Sequence, residues 1–533
     1  MLGSTWRRKN SRPLLGDEEG DASGGAYPKG PRIQVCQIPS KLYQIATIVL
    51  FVGALLTALN IYELHKLQRQ SLNSHQPKPS FGPEASHQKS PVVWIAGKKL
   101  ETGYLKHVMA VFDRLGFSRG DPASHWDVLW SHDYPFRQFY DIMLNLRKDQ
   151  RVNHFPGSGF ITNKPNLATL SNQYIPKAFK IPDQREELLE YAKKNPSKEF
   201  VQKSSNHRGI QIKKVGDLNL DARDTFVQEY IDDPFLIDGH KFDIGIYVIL
   251  TSVNPLRVYT FEEDALFRFC RDEYYPFDSN NVNKYVVRDD YLPIWEISAI
   301  EPYYTSKGFG MKQSFNAYMM SQKHDVDAIW WQIKEAIQTV IMAKEPAIIE
   351  AASRYPSFRN FFELMRFDFV LDKNLHVFLM EANMSPNLSS GHFPGNKLLY
   401  EQVIFNVLCL AGVARRVHTD SLLPQSDDEE SMQVALKDII AFHDACASSK
   451  CQGNCSISEC SYCRQCLNVE DIEVLKTAYL EHHSRHGSRR LIPAPMHQDQ
   501  AFKPLPLKGL LPRNKWMYEW FRGKCLEDAT WCL

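Results

Sequence analysis

The chain of 533 residues has almost no excess charge: 63 Lys and Arg stand against 62 Asp and Glu, a formal net charge of +1. That balance removes any global electrostatic argument for nucleic acid or for a strongly acidic partner, so such a preference must come from a local patch. No internal repeat is visible, and no long low-complexity gap interrupts Val93 to about Arg416. The N-terminus also lacks the form of a cleavable signal peptide, which would begin near residue 1 and carry a shorter apolar region.

The chain is long enough for two or three domains, and 43% hydrophobic with 23% charged residues is an ordinary globular composition. Residues 1–41 mix Gly, Ser, Pro and charges without apolar periodicity and read as a disordered tail. Leu42 to Tyr62 runs about a membrane thickness without a charge and reads as one transmembrane helix, a buried core helix being the alternative. Residues 63–92 form a polar, Pro-containing linker. From 93 to 416, strand and helix patterns alternate, which points to an α/β (α+β) domain. Its clearest helix is 325–344, where Ile329, Ile333, Ile337 and Val340 share a stripe, and 396–416 is a second. An acidic run, Asp427 to Glu430, opens a cysteine-rich tail over 417–533.

Chemistry concentrates at 367–386, where two mostly apolar strands flank the turn Asp372-Lys373-Asn374. Alternation puts Glu381 and Asn383 on one face, and Asp368 meets them across the hairpin. A half-buried carboxylate needs a positive partner. Two carboxylates with an amide suit Mg²⁺ held jointly with nucleotide phosphates, the alternative being a strand end whose polar residues reach solvent. Upstream, 199–214 reads as strand, Lys203, small polar loop, then Arg208-Gly209 entering another strand. A loop whose backbone approaches phosphates beside a lysine suits a triphosphate cover, although it is neither a Walker loop nor Gly-x-Gly-x-x-Gly. Segment 226–252 carries Lys241 and Asp243 into a β-prone run, and 261–270 offers Arg268, which is either a site residue or a surface arginine over a strand.

Together these segments resemble the tubulin tyrosine ligase-like family, an ATP-grasp fold, and more closely its glutamylase and glycylase branch. The resemblance runs from about Trp94 to Arg416, through 151–170 with its Asn-His-Phe-Pro-Gly segment, 227–243 and 362–386. It implies a ligase that uses ATP to activate a carboxylate as an acyl phosphate, which an amino group then attacks. The usual product is glutamate added to glutamates of tubulin tails or of another acidic protein. Lys203, Arg208 and Gly209 would contact phosphates; Gln228, Glu229, Tyr230 and Ile231 would frame the adenine. Lys241 and Asp243 would hold the base and sugar side, Asp368, Glu381 and Asn383 would bind Mg²⁺, and Arg268 would face the amino acid or acyl phosphate.

The chain departs from the family pattern in places. Gly245 in Lys241-Phe-Asp-Ile-Gly stands where an arginine is expected, and a lost charge-assisted bond of about 1.5–3 kcal/mol lowers turnover roughly tenfold or more. The expected His-Leu-Thr-Asn segment is not recognisable in 280–293, and Lys203 is followed by serine rather than proline. Where the metal hairpin normally has glycine, this chain has Arg366, two residues from Asp368 on the same strand face. Arg366 either supplies the missing guanidinium to the transferring phosphoryl group or merely pairs with Asp368 or leans into solvent. In the tail, Cys446, Cys451, Cys455, Cys460, Cys463, Cys466, Cys525 and Cys532 suit disulfides in an oxidising compartment, while Cys460, Cys463 and Cys466 also suit zinc in a reducing one. Asn454-Cys455-Ser456 is a glycosylation triplet. Basic residues before the span outnumber those after it, which favours a lumenal catalytic domain. No basic helix suited to gripping microtubules follows Arg416. Three functions compete: a membrane-anchored glutamate ligase acting on tubulin or another acidic protein, a nucleotide-binding pseudoenzyme scaffold, and a lumenal ligase with a non-tubulin acceptor.

Overall fold

The computed structural model describes residues 53, 55–62, 90–98, 100–204, 210–415 and 431–533. They divide into two units, Met1–Ser86 and His87–Leu533. In the first, residues 53 and 55–62 are helical, and most of the segment expected to span a membrane, 42–62, lies outside the described residues. Among the described residues no helix is long and apolar enough to cross a membrane.

The second unit is built on three sheets. A parallel sheet opens it, with β1 (Val92–Ala96), β2 (Ser118–Gly120), β3 (Val128–Ser131) and β4 (Arg151–Val152) in the order β2-β1-β3-β4. Helix α1 (Lys106–Arg114) buries Val108, Val111 and Phe112. An antiparallel sheet follows, β5-β8-β6-β7, made of β5 (Ala178–Ile181), β6 (Phe200–Ser204), β7 (Gln211–Lys213) and β8 (Thr225–Glu229). The strand–loop–strand expected over 199–214 is the β6/β7 pair, with the Arg208-Gly209 turn outside the described residues.

The largest sheet has seven strands around β9 (Phe242–Val253), of which only Thr251 is not buried. Its partners are β10 (Leu256–Phe261), β11 (Leu266–Phe269) and β13 (Glu363–Leu371); β12 (Leu292–Pro293) extends from β11 and β14 (Val377–Asn383) from β13. The β13/β14 hairpin turns where the sequence predicts it. The Asp372 carboxylate accepts from the backbone N–H of Asn374 at 2.9 Å and of His376 at 2.8 Å, fixing the turn. Helix α3 (Val326–Ala352; α2 is Lys164–Ala168) starts at the capping side chain of Asp325 and buries the expected stripe Ile329, Ile333, Ile337 and Val340. It runs past the predicted end at 344, through Pro346. The second expected helix is α4 (Lys397–Leu410).

The Asn-His-Phe segment ties the first sheet to the third. His154 Nδ1 donates to Glu363 at 2.7 Å, its Nε2 faces the Ser131 carbonyl at 2.9 Å, and the Phe155 N–H donates to the same carboxylate at 2.9 Å. Burial works against the charged imidazole, but Glu363 outweighs it and the His154 pKa is raised. Both nitrogens thus face acceptor oxygens in a fully buried pair.

Of the expected acidic linker and cysteine-rich tail, 417–533, the described residues 431–533 pack against the large sheet. Their β15 (Ser488–Ile492) pairs with β10 at the edge of the large sheet. Their helices α5 (Val469–His483) and α6 (Pro512–Glu527) enclose a core of Leu475, Ala478, Met517, Trp520 and Phe521. The eight tail cysteines form four disulfides, Cys446–Cys463, Cys451–Cys460, Cys455–Cys466 and Cys525–Cys532, which leaves no thiolate among them for zinc.

Candidate functional site

A cleft of about 590 Å³ lies between β6 and β8 on one side and β9, β11, β13 and β14 on the other. Each wall places side chains by alternation. On β6 and β8, Lys203 and Gln228 reach each other, Nζ to Oε1, at 3.0 Å, and Gln228 is anchored to the Pro176 carbonyl at 3.3 Å. Burial lowers the Lys203 pKa to about 8. Just past β8, the Tyr230 ring lies 4.9 Å from the Lys241 ammonium, and burial brings Lys241 also to about 8. Glu229 lines the cleft as well, although its carboxylate is taken by Lys198 at 2.5 Å and by the Tyr191 hydroxyl at 2.7 Å. Ile231 completes the segment expected to frame a base.

The opposite wall is a chain of charges. Arg268 on β11 donates to both oxygens of Asp243 on β9, at 2.9 and 2.7 Å, and reaches Asp368 on β13 at 3.0 Å. Burial raises the Asp243 pKa to about 6 in spite of Arg268. Glu381 on β14 stands opposite Asp368 in the ladder, and Asn383 Nδ2 donates to Asp368 at 3.1 Å and to Glu381 at 3.2 Å. The three residues expected to bind metal are thus brought together. Burial opposes ionisation of Glu381, but the Lys164 ammonium at 2.8 Å outweighs it and holds the carboxyl well below its usual range.

Asp368 differs from its two neighbours. Arg366 chelates it, Nε to Oδ1 at 2.6 Å and Nη2 to Oδ2 at 2.8 Å, in a pair exposed by only 4% and 2%. The positive charge that Asp368 requires is therefore supplied by Arg366 and Arg268. Arg366, which the sequence offers as a direct phosphate ligand or as a partner of Asp368, pairs with Asp368 in the structure. Gly245 explains why there is room for it. Gly245 is the ladder partner of Asp368, and a Cβ there would stand 2.9 Å from Arg366 Cδ and 3.2 Å from its Nε. The Arg366 side chain occupies the space over Gly245, so arginines at both positions exclude each other.

Sequence reasoning missed Lys164, which opens α2 behind the capping side chain of Asn163 and reaches Glu381 from 217 positions' distance in the chain, 164 against 381. Its only local signal is the Asn-Lys-Pro start of a helix just after the Asn-His-Phe-Pro-Gly segment. It also missed Tyr285 to Asp289, which line the cleft although they lie where the family's His-Leu-Thr-Asn segment is unrecognisable. Among the described residues no cluster of three His, Cys, Asp or Glu gathers for a metal, so a metal here must rely on the Asn383 amide and on ligand oxygens.

Two sheets close on a cleft lined by lysines, arginines and carboxylates, side chains suited to a charged ligand. The sequence model of the tubulin-tyrosine ligase family matches residues 143–420, and the chain belongs to that family. It is 40% identical over 457 residues to a Caenorhabditis elegans protein named "Probable tubulin polyglutamylase ttll-15", covering 83% of this chain and 87% of that one. It is 28% identical over 326 residues to human "Tubulin polyglutamylase TTLL7", covering 56% of this chain and 35% of the relative. It is 30% identical over 373 residues to human "Tubulin monoglutamylase TTLL4", covering 66% and 29%. The matches thus span most of the worm protein and about a third of the human ones.

Proposed function

We propose that the chain is an ATP-grasp glutamate ligase of the tubulin polyglutamylase type. The observation that carries this reading is the convergence on one cleft of Lys203, Lys241, Asp243, Arg268, Glu381 and Asp368 from two separate sheets. In the reaction, an acceptor carboxylate takes the γ-phosphoryl group of ATP and ADP leaves. The amino group of glutamate then attacks the acyl carbon, phosphate departs, and an amide remains. Lys203 offsets phosphate charge, Tyr230 and Ile231 flank the base with Lys241 beside Tyr230, and Arg268, aimed by Asp243 and Asp368, faces the oxygens on which charge develops. Glu381 and Asn383 would hold Mg²⁺ together with phosphate oxygens, and the metal would neutralise charge on them. Asp368, engaged by two guanidiniums, positions these arginines. Incorporation of labelled glutamate into acidic peptides, dependent on MgATP and lost in Lys203→Met, tests the reading; no incorporation with any acidic acceptor leaves a nucleotide-binding scaffold, the reading that the closed Asp368 pair favours.

Lys203 gives the site a pH signature. Nucleotide phosphates bind the charged Lys203 ammonium, so binding raises its pKa and takes up a proton. Affinity is full below the nucleotide-free value of about 8 and falls as pH rises through it. Titration calorimetry is expected to show MgATP affinity at least about tenfold weaker at pH 9 than at pH 7. A pH-independent affinity over that range contradicts the assignment of Lys203 to phosphate.

Residues 42–62 serve, on this reading, as a single membrane anchor with the catalytic domain lumenal. The charge bias around the segment and the four disulfides support it. A C-terminal tag is expected to resist protease in intact microsomes, and the acceptor is then an acidic lumenal protein. Digestion without detergent contradicts lumenal placement and makes cytosolic tubulin tails the accessible acceptor.

A further inference from the structure

A second cavity, of about 240 Å³, shares no lining residue with the cleft. It sits where the cysteine-rich region meets the large sheet, between β10, the end of α4 and α5. Its lining includes four arginines, Arg151, Arg257, Arg359 and Arg415, against two carboxylates, Asp149 and Glu481.

The carboxylates are already engaged. Glu481 accepts from Arg257 Nε at 2.8 Å and Nη2 at 3.0 Å, from Thr251 at 3.1 Å and from Tyr259 at 3.0 Å. Asp149 accepts from Arg147 at 3.2 Å, and Arg359 is paired with Glu473 at 2.5 Å. Arg151 donates to the backbone carbonyls of residues 148, 149 and 150. Among the described residues, Arg415 donates to the Leu410 carbonyl, at 3.3 Å. Donors are left over: among the described residues, Arg257 Nη1, on a residue exposed by 4%, together with Arg415 Nε and Nη1 and Gln433 Nε2, are buried without a hydrogen-bond partner. Burial lowers the Arg415 pKa despite Glu481, and burial with the neighbouring Arg359 and Arg415 brings Arg151 to about 10. Water can satisfy such donors, but among the described residues it leaves the excess positive charge uncompensated in a low-dielectric surrounding.

We propose that this cavity binds a compact oxyanion of the phosphate class, seated by Arg415, Arg257 and Gln433, and that the bound anion braces the cysteine-rich region against the large sheet. Forked guanidinium donors match phosphate oxygens, and the volume falls below the roughly 300–1,000 Å³ of sites for larger organic ligands. The inference stands independently of the ligase reading.

The test is thermal unfolding of the full chain in detergent at constant ionic strength, with inorganic phosphate or pyrophosphate raised to about 10 mM. The melting temperature of the parent is expected to rise with saturation, and a saturable rise is expected to persist in Lys203→Met, which alters the cleft. Arg415→Gln, placed in the Lys203→Met background, is expected to lose the response. Gln433→Leu is expected to weaken half-saturation several-fold and serves if Arg415→Gln does not fold. Absence of a saturable rise in the parent overturns the proposal, and so does a rise that persists unchanged in these variants or disappears in Lys203→Met.

Discussion

Replacing Arg366 by glycine is expected to cut MgATP-dependent glutamate transfer by at least about 100-fold, and adding Gly245→Arg to recover at least about tenfold of that loss. The reason is local. Asp368 is 2% exposed, and Arg366 supplies two of the four hydrogen bonds to its carboxylate. Without Arg366, Asp368 draws Arg268 away from its double contact with Asp243 and weakens the aim of that guanidinium into the cleft. Gly245→Arg alone is expected to be damaging, because its Cβ would meet Arg366 Cδ at 2.9 Å. In the double variant that space is free, and an arginine rising from β9 reaches Asp368 from its ladder partner position. The coupling is read from a double-mutant cycle on turnover and on MgATP affinity. Unchanged turnover in Arg366→Gly, or a double variant no better than the single one, contradicts the exchange.

Glu481→Ala is expected to cost about 3–5 kcal/mol of stability, the penalty of leaving a buried charge without its partner. Arg257 and Glu481 have side-chain exposures of 5% and 2%, and the carboxylate also holds Thr251 and Tyr259. This one residue of α5 therefore fastens the cysteine-rich region to β9 and β10. Paired replacement by apolar residues, Arg257→Met with Glu481→Leu, is expected to recover most of the loss, since neither charge is then stranded. Denaturant unfolding followed by tryptophan fluorescence, with the disulfides kept intact, reads both effects. A loss below about 1 kcal/mol in Glu481→Ala contradicts the claim that this pair holds the region in place.

What the sequence discloses, and where it stops, follows from the range of the interactions. Period-two alternation and a turn rich in Asp and Asn reveal the hairpin that carries Asp368, Glu381 and Asn383, because strand faces are set by neighbours two residues apart. The stripe through Ile329, Ile333, Ile337 and Val340 reveals α3 for the analogous reason. Lys164 on Glu381, Arg268 on Asp368 and Glu481 on Arg257 are pairings across large sequence separations, which no local pattern encodes. The same limit applies to the tail: an even number of cysteines announces disulfides, but their pairing and the insertion of β15 beside β10 are products of the tertiary fold. Arg366 lies between these cases. Its face is legible from spacing, while its commitment to Asp368 depends on the gap over Gly245 on a different strand.

The central claim, a cleft between two sheets that holds MgATP through Lys203 and Glu381, is tested most directly by calorimetric titration of the parent chain, Lys203→Met and Glu381→Gln with ATP at pH 7. The expected result is one site in the parent that requires Mg²⁺ for full affinity, weakened at least about tenfold in Lys203→Met. In Glu381→Gln, the loss is expected to be confined to titrations containing Mg²⁺. No binding by the parent, or equal affinity in all three chains, contradicts it.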